Sequence, residues 1–233
     1  MQAEKPVGNR SNSERVLGVM NDVTEVLRKP SPGGRPQPLA FYEDRLWVGA
    51  WETDHIYAID TKAWSFEKSL PAPGKPYGLA RFGPGLMTVV SLGDDDDRYF
   101  YGYDSAGGFD PGSKTECPDF TGSHLAADGS TLYLCQQGKR RILSLDADLA
   151  VQRTIELPTR CGGFAFGPGG DCFMITADQE FEHLEFARFD LRASEPKPES
   201  IATVPFDARG LTYDGTTWWT CHREENQIVA FTV

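Results

Sequence analysis

His222, Arg223 and Glu224 stand together near the end of this sequence, and a histidine beside a carboxylate is a common means of moving a proton near neutral pH. Glu224, Glu52 or Asp178 would each serve His222 as the acidic partner, and His124 is a second candidate base. The simpler reading of His222 is a ring packed at a strand end, because nothing in the sequence fixes its partner. Arg209 carries a planar fork of donors suited to a carboxylate or phosphate, and Trp51 and Tyr77 would supply flat walls. Cys161, next to Arg160 and followed by Gly162 and Gly163, has the setting of an activated thiolate. No base can be assigned to it, so it reads as a buried structural thiol.

Such residues need elements to hold them, and the elements repeat. Five phrases recur, Gln37-Pro38-Leu39-Ala40, Tyr77-Gly78-Leu79-Ala80, Ser123-His124-Leu125-Ala126, Gly162-Gly163-Phe164-Ala165 and Arg209-Gly210-Leu211-Thr212, with their apolar anchors 40, 46, 39 and 47 residues apart. A turn follows each phrase, then a second strand such as Leu46-Trp47-Val48, then a third. In four units the third ends at an acid, Asp60, Asp104, Asp146 or Asp190. Fourth strands are expected near 65–70, 114–117, 151–157 and 200–204. A period of this size with four strands per unit predicts an all-β, five-bladed propeller. The last unit, from Ala208, ends one strand short. Residues 14–27 suit either a helix or a short strand, and ring closure favours the strand, supplied to the last blade. The expected organisation is a flexible tail over 1–13, a single propeller domain over 14–233 and a proline-rich link over 30–38.

The Gly-Leu-Ala openings, the Leu46-Trp47-Val48 strand and the Ile56-Tyr57-Ala58-Ile59-Asp60 strand resemble the superfamily of YVTN, NHL and SMP-30-like propellers. Among five-bladed members the chain looks most like the propeller-type glutaminyl cyclases, chiefly around 46–54. The resemblance spans 38–233. It implies that the residue two places before each anchor faces the ligand-binding mouth of the central channel, which here gives Gln37, Tyr77, Ser123, Gly162 and Arg209. The cyclases' Gly-Glu-Gly-Leu and Gly-Trp-Gly-Leu phrases supply an acid and a stacking wall. Here Tyr77 and Ser123 stand in those places, so the acid is missing, and the fold transfers better than the activity.

The SMP-30-like lactonases set oxygen donors for a metal at these positions, whereas this set offers Gln37 and a repelling Arg209, so no metal and no cofactor are expected. By the same resemblance the second strands end at the mouth with Trp51, Glu52, Ser91, Gln136, Gln137, Asp178 and His222. Arg35, Lys75 and Arg160 lie four places before their anchors and would add positive charge around Arg209, the one cation expected on the channel wall itself. Solvated loop cations are the bland equivalent. His124 stands where the other four units have glycine or proline. The run Asp94, Asp95, Asp96, Asp97 lacks the glycine and terminal glutamate of a calcium loop and reads as a solvated connection. Trp218 and Trp219 fall on opposite strand faces, so one should pack between blades. Loops near 93–98 and 178–185 are long enough to flank the mouth.

The expected function is a small-molecule enzyme, a hydrolase, lyase or cyclase without a redox cofactor, or a ligand-binding propeller for an anionic metabolite. The competing class is a noncatalytic propeller that holds a protein or peptide. A net charge of −11 argues against a nucleic-acid partner. No apolar run is long enough to span a bilayer, the first residues lack a secretory signal's apolar region, and the five cysteines show no metal-ligand spacing. A cytoplasmic monomer with reduced thiols is expected. Prolonged chelation should leave melting temperature and ligand binding nearly unchanged. A loss restored by calcium or zinc would move the site to Asp94–Asp97 or to the histidines.

Overall fold

The computed structural model describes residues 20–104, 107–193 and 195–233. The expected tail over 1–13 and the first part of the closing segment, 14–19, lie outside these residues. Among the described residues there is no α-helix, only strands and four short 3-10 turns. Blade one is β2 (Pro36–Tyr42), β3 (Arg45–Ala50), β4 (His55–Asp60) and β5 (Ser65–Pro71). Blade two is β6 (Lys75–Phe82), β7 (Gly85–Leu92) and β8 (Asp97–Asp104), edged by the two short strands β9 (Gly108–Phe109) and β10 (Thr115–Glu116). Blade three runs through β11 (His124–Asp128), β12 (Thr131–Gln136), β13 (Arg141–Leu145) and β14 (Val151–Glu156). Blade four runs through β15 (Arg160–Phe166), β16 (Cys172–Ala177), β17 (Leu184–Phe189) and β18 (Pro198–Thr203).

Blade five contains β19 (Ala208–Tyr213), β20 (Trp218–His222) and β21 (Gln227–Thr232), and its outer strand is β1 (Thr24–Pro30) from the other end of the chain. The closing strand takes up the last four residues of the expected 14–27 and runs on to Pro30, and the link into blade one is 31–35. Polarity explains the shift: Arg28 hydrogen-bonds Gln227 at 2.8 Å across the pair, while Val23 enters the core between blades four and five. Just before β1 the chain also bonds to β18, with the Val23 amide on the Thr203 carbonyl and the Thr203 amide on the Asn21 carbonyl, both at 2.9 Å. One segment thus binds both blades flanking the seam.

Each blade is a twisted sheet with two apolar faces, and these pair into five separate cores, one per interface. Both tryptophans of β20 are used, where one was expected. Trp218 packs on Phe173 and Phe186 of blade four, and Trp219 lies parallel to Trp64 of blade one at 6.4 Å. The recurring acid after the third strand has a local purpose. Asp60 accepts from the amides of Lys62 and Ala63, Asp146 from those of Asp148 and Ala150, and Asp190 from that of Arg192, closing the turn to the fourth strand.

The inner strands β2, β6, β11, β15 and β19 line the axis in the order of their blades. They approach so closely that a Cβ on Gly163 would stand 2.6 Å from the Gly210 Cα, and one on Gly210, at φ +69°, would stand 2.1 Å from the Gln37 carbonyl oxygen. At the level of the anchors about 10 Å³ remains on the mouth side, around His124, Leu125, Phe164 and Leu211, room for hardly one water, while about 110 Å³ opens on the far side, around Ala40, Ala80, Ala126, Ala165 and Thr212. The channel is plugged, so the mouth is a blind cup.

Removing the chain up to and including β1 should leave β21 as an open edge with unpaired backbone groups, giving aggregation or a lower melting temperature. Size-exclusion chromatography and a melting curve check this, and a truncated chain that stays monomeric with unchanged melting would contradict it.

Candidate functional site

Four of the inner strands break register near their first residues: β2 between Pro36 and Leu39, β6 between Pro76 and Gly78, β15 between Cys161 and Gly163, and β19 between Arg209 and Thr212. A bulge re-aims the residue it contains. The bulges contain Gln37, Tyr77 and Gly162, two places before their anchors, while Arg209 is still paired with Cys221 and stands just ahead of the bulge at Gly210 and Leu211. β11 has an unbroken register. Ser123, just before it, turns its hydroxyl onto the Cys135 carbonyl at 3.0 Å and accepts from the Gln137 amide at 3.3 Å, so it braces the strand end.

The remaining side chains converge. Arg209, only 8% exposed, pairs with Asp207 at 2.6 Å, donates to the Ala208 carbonyl at 2.9 Å and lies over the Phe181 ring at 4.1 Å. Burial lowers its pKa and the Asp207 charge opposes that shift, leaving an ordinary guanidinium cation. Gln37 joins the two sides of the mouth, its amide nitrogen on the Tyr77 carbonyl at 3.3 Å and its amide oxygen accepting from Arg223 at 3.0 Å. Trp51 is fixed by its indole N–H on the Pro76 carbonyl at 2.7 Å, with the Tyr77 ring 4.4 Å away. The guanidinium of Arg223 stands 4.9 Å from the Trp51 ring and that of Arg35 5.6 Å. Arg98 lies on Tyr77 at 3.7 Å. Burial raises the Tyr77 phenol's pKa, against the lowering pull of the Arg98 charge.

Arg209 is therefore not the one cation of the wall. Arg223 and Arg98 share the mouth, each held on an aromatic face. Arg98 arrives through the acidic run, which is not simply a solvated connection: Asp96 binds Arg98 at 2.7 Å and Ser91 at 2.6 Å, and although burial raises its carboxyl pKa, these contacts lower it further. Nothing in the motif marks Arg98 or Asp207; both are recruited by tertiary contact.

Other expected residues have structural partners. Gln136, with no exposed surface, donates to the Pro118 and Thr121 carbonyls at 2.6 and 3.0 Å and accepts from Arg141, which ties the loop entering blade three to its second strand. Asp178 caps its own loop, accepting from the Glu182 amide at 2.9 Å. Glu52 is exposed on the rim, its carboxylate lying against Gly34.

The structure separates the histidines from these acids. His222 lies flat on Phe206 at 5.3 Å, and burial followed by the Arg28 charge lowers its pKa. The charges it feels are those of Arg28, Glu225, Asp207 and Glu25, not those of Glu52 or Asp178. His124 is 4% exposed in the plug itself. Its desolvation, with the charges of Arg209 and Arg223 above it, brings its pKa down to about 3. Cys161 is also fully enclosed, a free thiol, and burial, aided by a hydrogen bond with the Cys135 thiol, drives its pKa far up and leaves no thiolate.

No protein-family model matches the chain, and no curated protein matches it in sequence. Solved structures share the fold. The chain is similar to the glutaminyl cyclase of Myxococcus xanthus with a TM-score of 0.67 at 8% identity, over 91% of this chain and 98% of that one. It is similar to a catalytically inactive virginiamycin B lyase from Staphylococcus aureus with quinupristin, at TM-score 0.53 and 14% identity, over 88% and 83% of the two chains. A PQQ-bound aldose sugar dehydrogenase from Streptomyces coelicolor also has TM-score 0.53 and 14% identity, over 87% and 78%. A β-propeller is thus the shared architecture, and the three proteins named are enzymes. No helix among the described residues is long and apolar enough to cross a membrane.

His124 yields a pH test. Its folded pKa, about 3, lies below the ordinary 6.5 of the unfolded chain, so between these values the unfolded state binds the extra proton. Stability from this group is complete above about pH 6.5 and is lost as the pH falls toward 3, by an amount on the order of a few kcal/mol. Chemical denaturation from pH 7 to 4 should show a shallower decline for His124→Gln than for the parent. Parallel declines would mean that His124 is not held neutral.

Proposed function

We propose that the protein is a ligand-binding propeller whose mouth captures a small anionic molecule. The observation that carries this reading is the set of guanidinium groups of Arg98, Arg209 and Arg223, gathered on the faces of Tyr77, Phe181 and Trp51 above a plugged channel. Arg98 and Arg209 have carboxylate partners, Asp96 and Asp207. Arg223 makes no ion pair among the described residues; its bond is to the neutral Gln37. A cation held in place and left without a counter-charge, beside an apolar wall, is a ready partner for a carboxylate or phosphate.

Capture fits these residues better than proton transfer does. A general base near neutral pH needs access to the guest, and His124 is buried below the guanidinium groups while His222 is occupied by Phe206. If the site is catalytic, the proton carrier is a rim carboxylate such as Glu52, and the chemistry is of the hydrolase, lyase or cyclase kind. A second reading, a noncatalytic propeller holding a peptide, is favoured by one feature: a cavity of about 660 Å³ at the opposite end, with Phe82, Pro84, Leu86 and Met87 in its lining. It has few converging polar groups, and the mouth remains the better small-molecule site.

Titration calorimetry with small carboxylates and phosphate monoesters tests the reading. Arg209→Ala and Arg223→Ala should each weaken the best of these by roughly 1.5–3 kcal/mol, the scale of a hydrogen bond to a charged group. Arg209→Lys should recover only part, since an ammonium keeps the charge and loses the fork. Unchanged affinity in both alanine variants, with melting curves like the parent's, would make these arginines structural and sink the anion site.

A further inference from the structure

Among the described residues, three buried polar side-chain atoms in one corner of the mouth lack a hydrogen-bond partner: the His222 Nδ1, whose ring lies on Phe206, and two charged ones, the Asp207 Oδ2 and the Arg223 Nε. The charged two are close neighbours through the backbone, where the Arg223 amide donates to the Asp207 carbonyl at 3.2 Å. They are opposite in kind, one a negative acceptor and the other a positive donor. The pair does not satisfy itself, because each group is drawn elsewhere. Asp207 gives its Oδ1 to Arg209 at 2.6 Å, while Arg223 is turned to Gln37 at 3.0 Å and to the Trp51 face at 4.9 Å. Buried polar atoms of this sort ordinarily find a protein group, a water or a ligand.

A guest that is only an anion answers half of this arrangement. It would meet the Arg223 donor but also the Asp207 carboxylate, which already neutralises Arg209 and would repel it. A guest carrying both charges answers both charged groups, an acceptor for Arg223 and a donor for Asp207. Since Asp207 touches Arg209 directly, the positive and negative subsites are contiguous. That suits a molecule whose ammonium and carboxylate are one carbon apart.

We propose, resting on the anion-site reading above, that the guest of the mouth is a zwitterion of the α-amino acid class, with its carboxylate on Arg223 and Arg209 and its ammonium on Asp207. The uncovered side of the cup, toward Phe181 and Tyr77, then faces the amino-acid side chain. Trp51 and Gln37 are positioning residues: they hold the Arg223 guanidinium where it can reach the carboxylate but not collapse onto Asp207.

Calorimetric titration of the full chain with matched probes decides this: L-alanine against propionate, L-glutamate against glutarate, and L-phenylalanine against 3-phenylpropionate, with β-alanine as a spacing control. In at least one pair the amino acid should bind tenfold or more tightly than its des-amino partner, and β-alanine should bind more weakly than L-alanine. Asp207→Asn should erase the preference while leaving the des-amino acid's affinity intact or improved; Arg223→Gln should weaken both members. The parent protein alone settles the main point, so a variant that folds poorly does not blunt the test. If the des-amino acids bind as well as the amino acids, the zwitterion proposal is overturned and the anion site stands. If neither kind binds, nor any phosphate monoester, both fall, and water satisfies the orphaned atoms.

Discussion

The closeness of the five inner strands is the constraint on which everything else in this molecule depends. At the anchors the space on the mouth side shrinks to about 10 Å³, and the residue before each anchor is glycine or proline in four blades and the buried His124 in the fifth. Gly163 facing Gly210 shows how little a side chain could be accommodated. Four of the five inner strands bulge at their mouth ends, and the bulges re-aim Gln37 and Tyr77, with Arg209 just ahead of a third. The geometry that closes the ring is therefore the geometry that builds the cup.

Gathering cations in that cup has a cost, since guanidinium groups in a partly dry mouth repel one another and lose hydration. The sequence offsets this in two ways. Carboxylates take two of the three, Asp96 on Arg98 and Asp207 on Arg209, and aromatic faces carry all three. Both devices also fix direction: a flat ring and a flat guanidinium stack in few ways, which limits the rotamers of an otherwise flexible side chain. The same field reaches downward, where it helps hold His124 neutral. A histidine in that state acts as filler in the plug, so its departure from the glycine or proline of the other units is a matter of packing and electrostatics.

The fold was legible because its signals are local and repeated. The anchors recur in every blade, and the acids that close the turns after β4, β13 and β17 in three of them, each answering a backbone requirement. The short last blade even announced that a strand must come from the other end. Its position, Thr24–Pro30, was harder to place, because the outer strand of a blade is half-exposed and its sequence is only weakly constrained. The site was legible only in part. Arg209 could be placed because its position relative to the anchor is a property of the strand. Arg98 and Asp207 could not, since one reaches the mouth from the third strand of blade two and the other from a connecting loop. Gln136 was misleading for the opposite reason: a side chain at the end of a second strand can as readily turn inward to bind Pro118 and Thr121 as face the mouth.

The contrast between a net charge of −11 and a cationic cup bears on what can enter. The rim carries Glu52, Asp94, Asp95, Glu180 and Glu224 along with Arg35 and Lys75, all exposed, while Arg98 and Arg209 lie inside. Across the rim, at distances near or beyond the roughly 8 Å screening length of physiological salt, an extended polyanion would meet repulsion along its length before any part of it reached Arg223. A small guest passes that boundary once and then lies within a few ångströms of fixed guanidinium groups, in surroundings where the attraction is less screened. On the anion-site proposal, acidic groups at the edge and guanidinium groups at the centre would favour a small anion over an extended one.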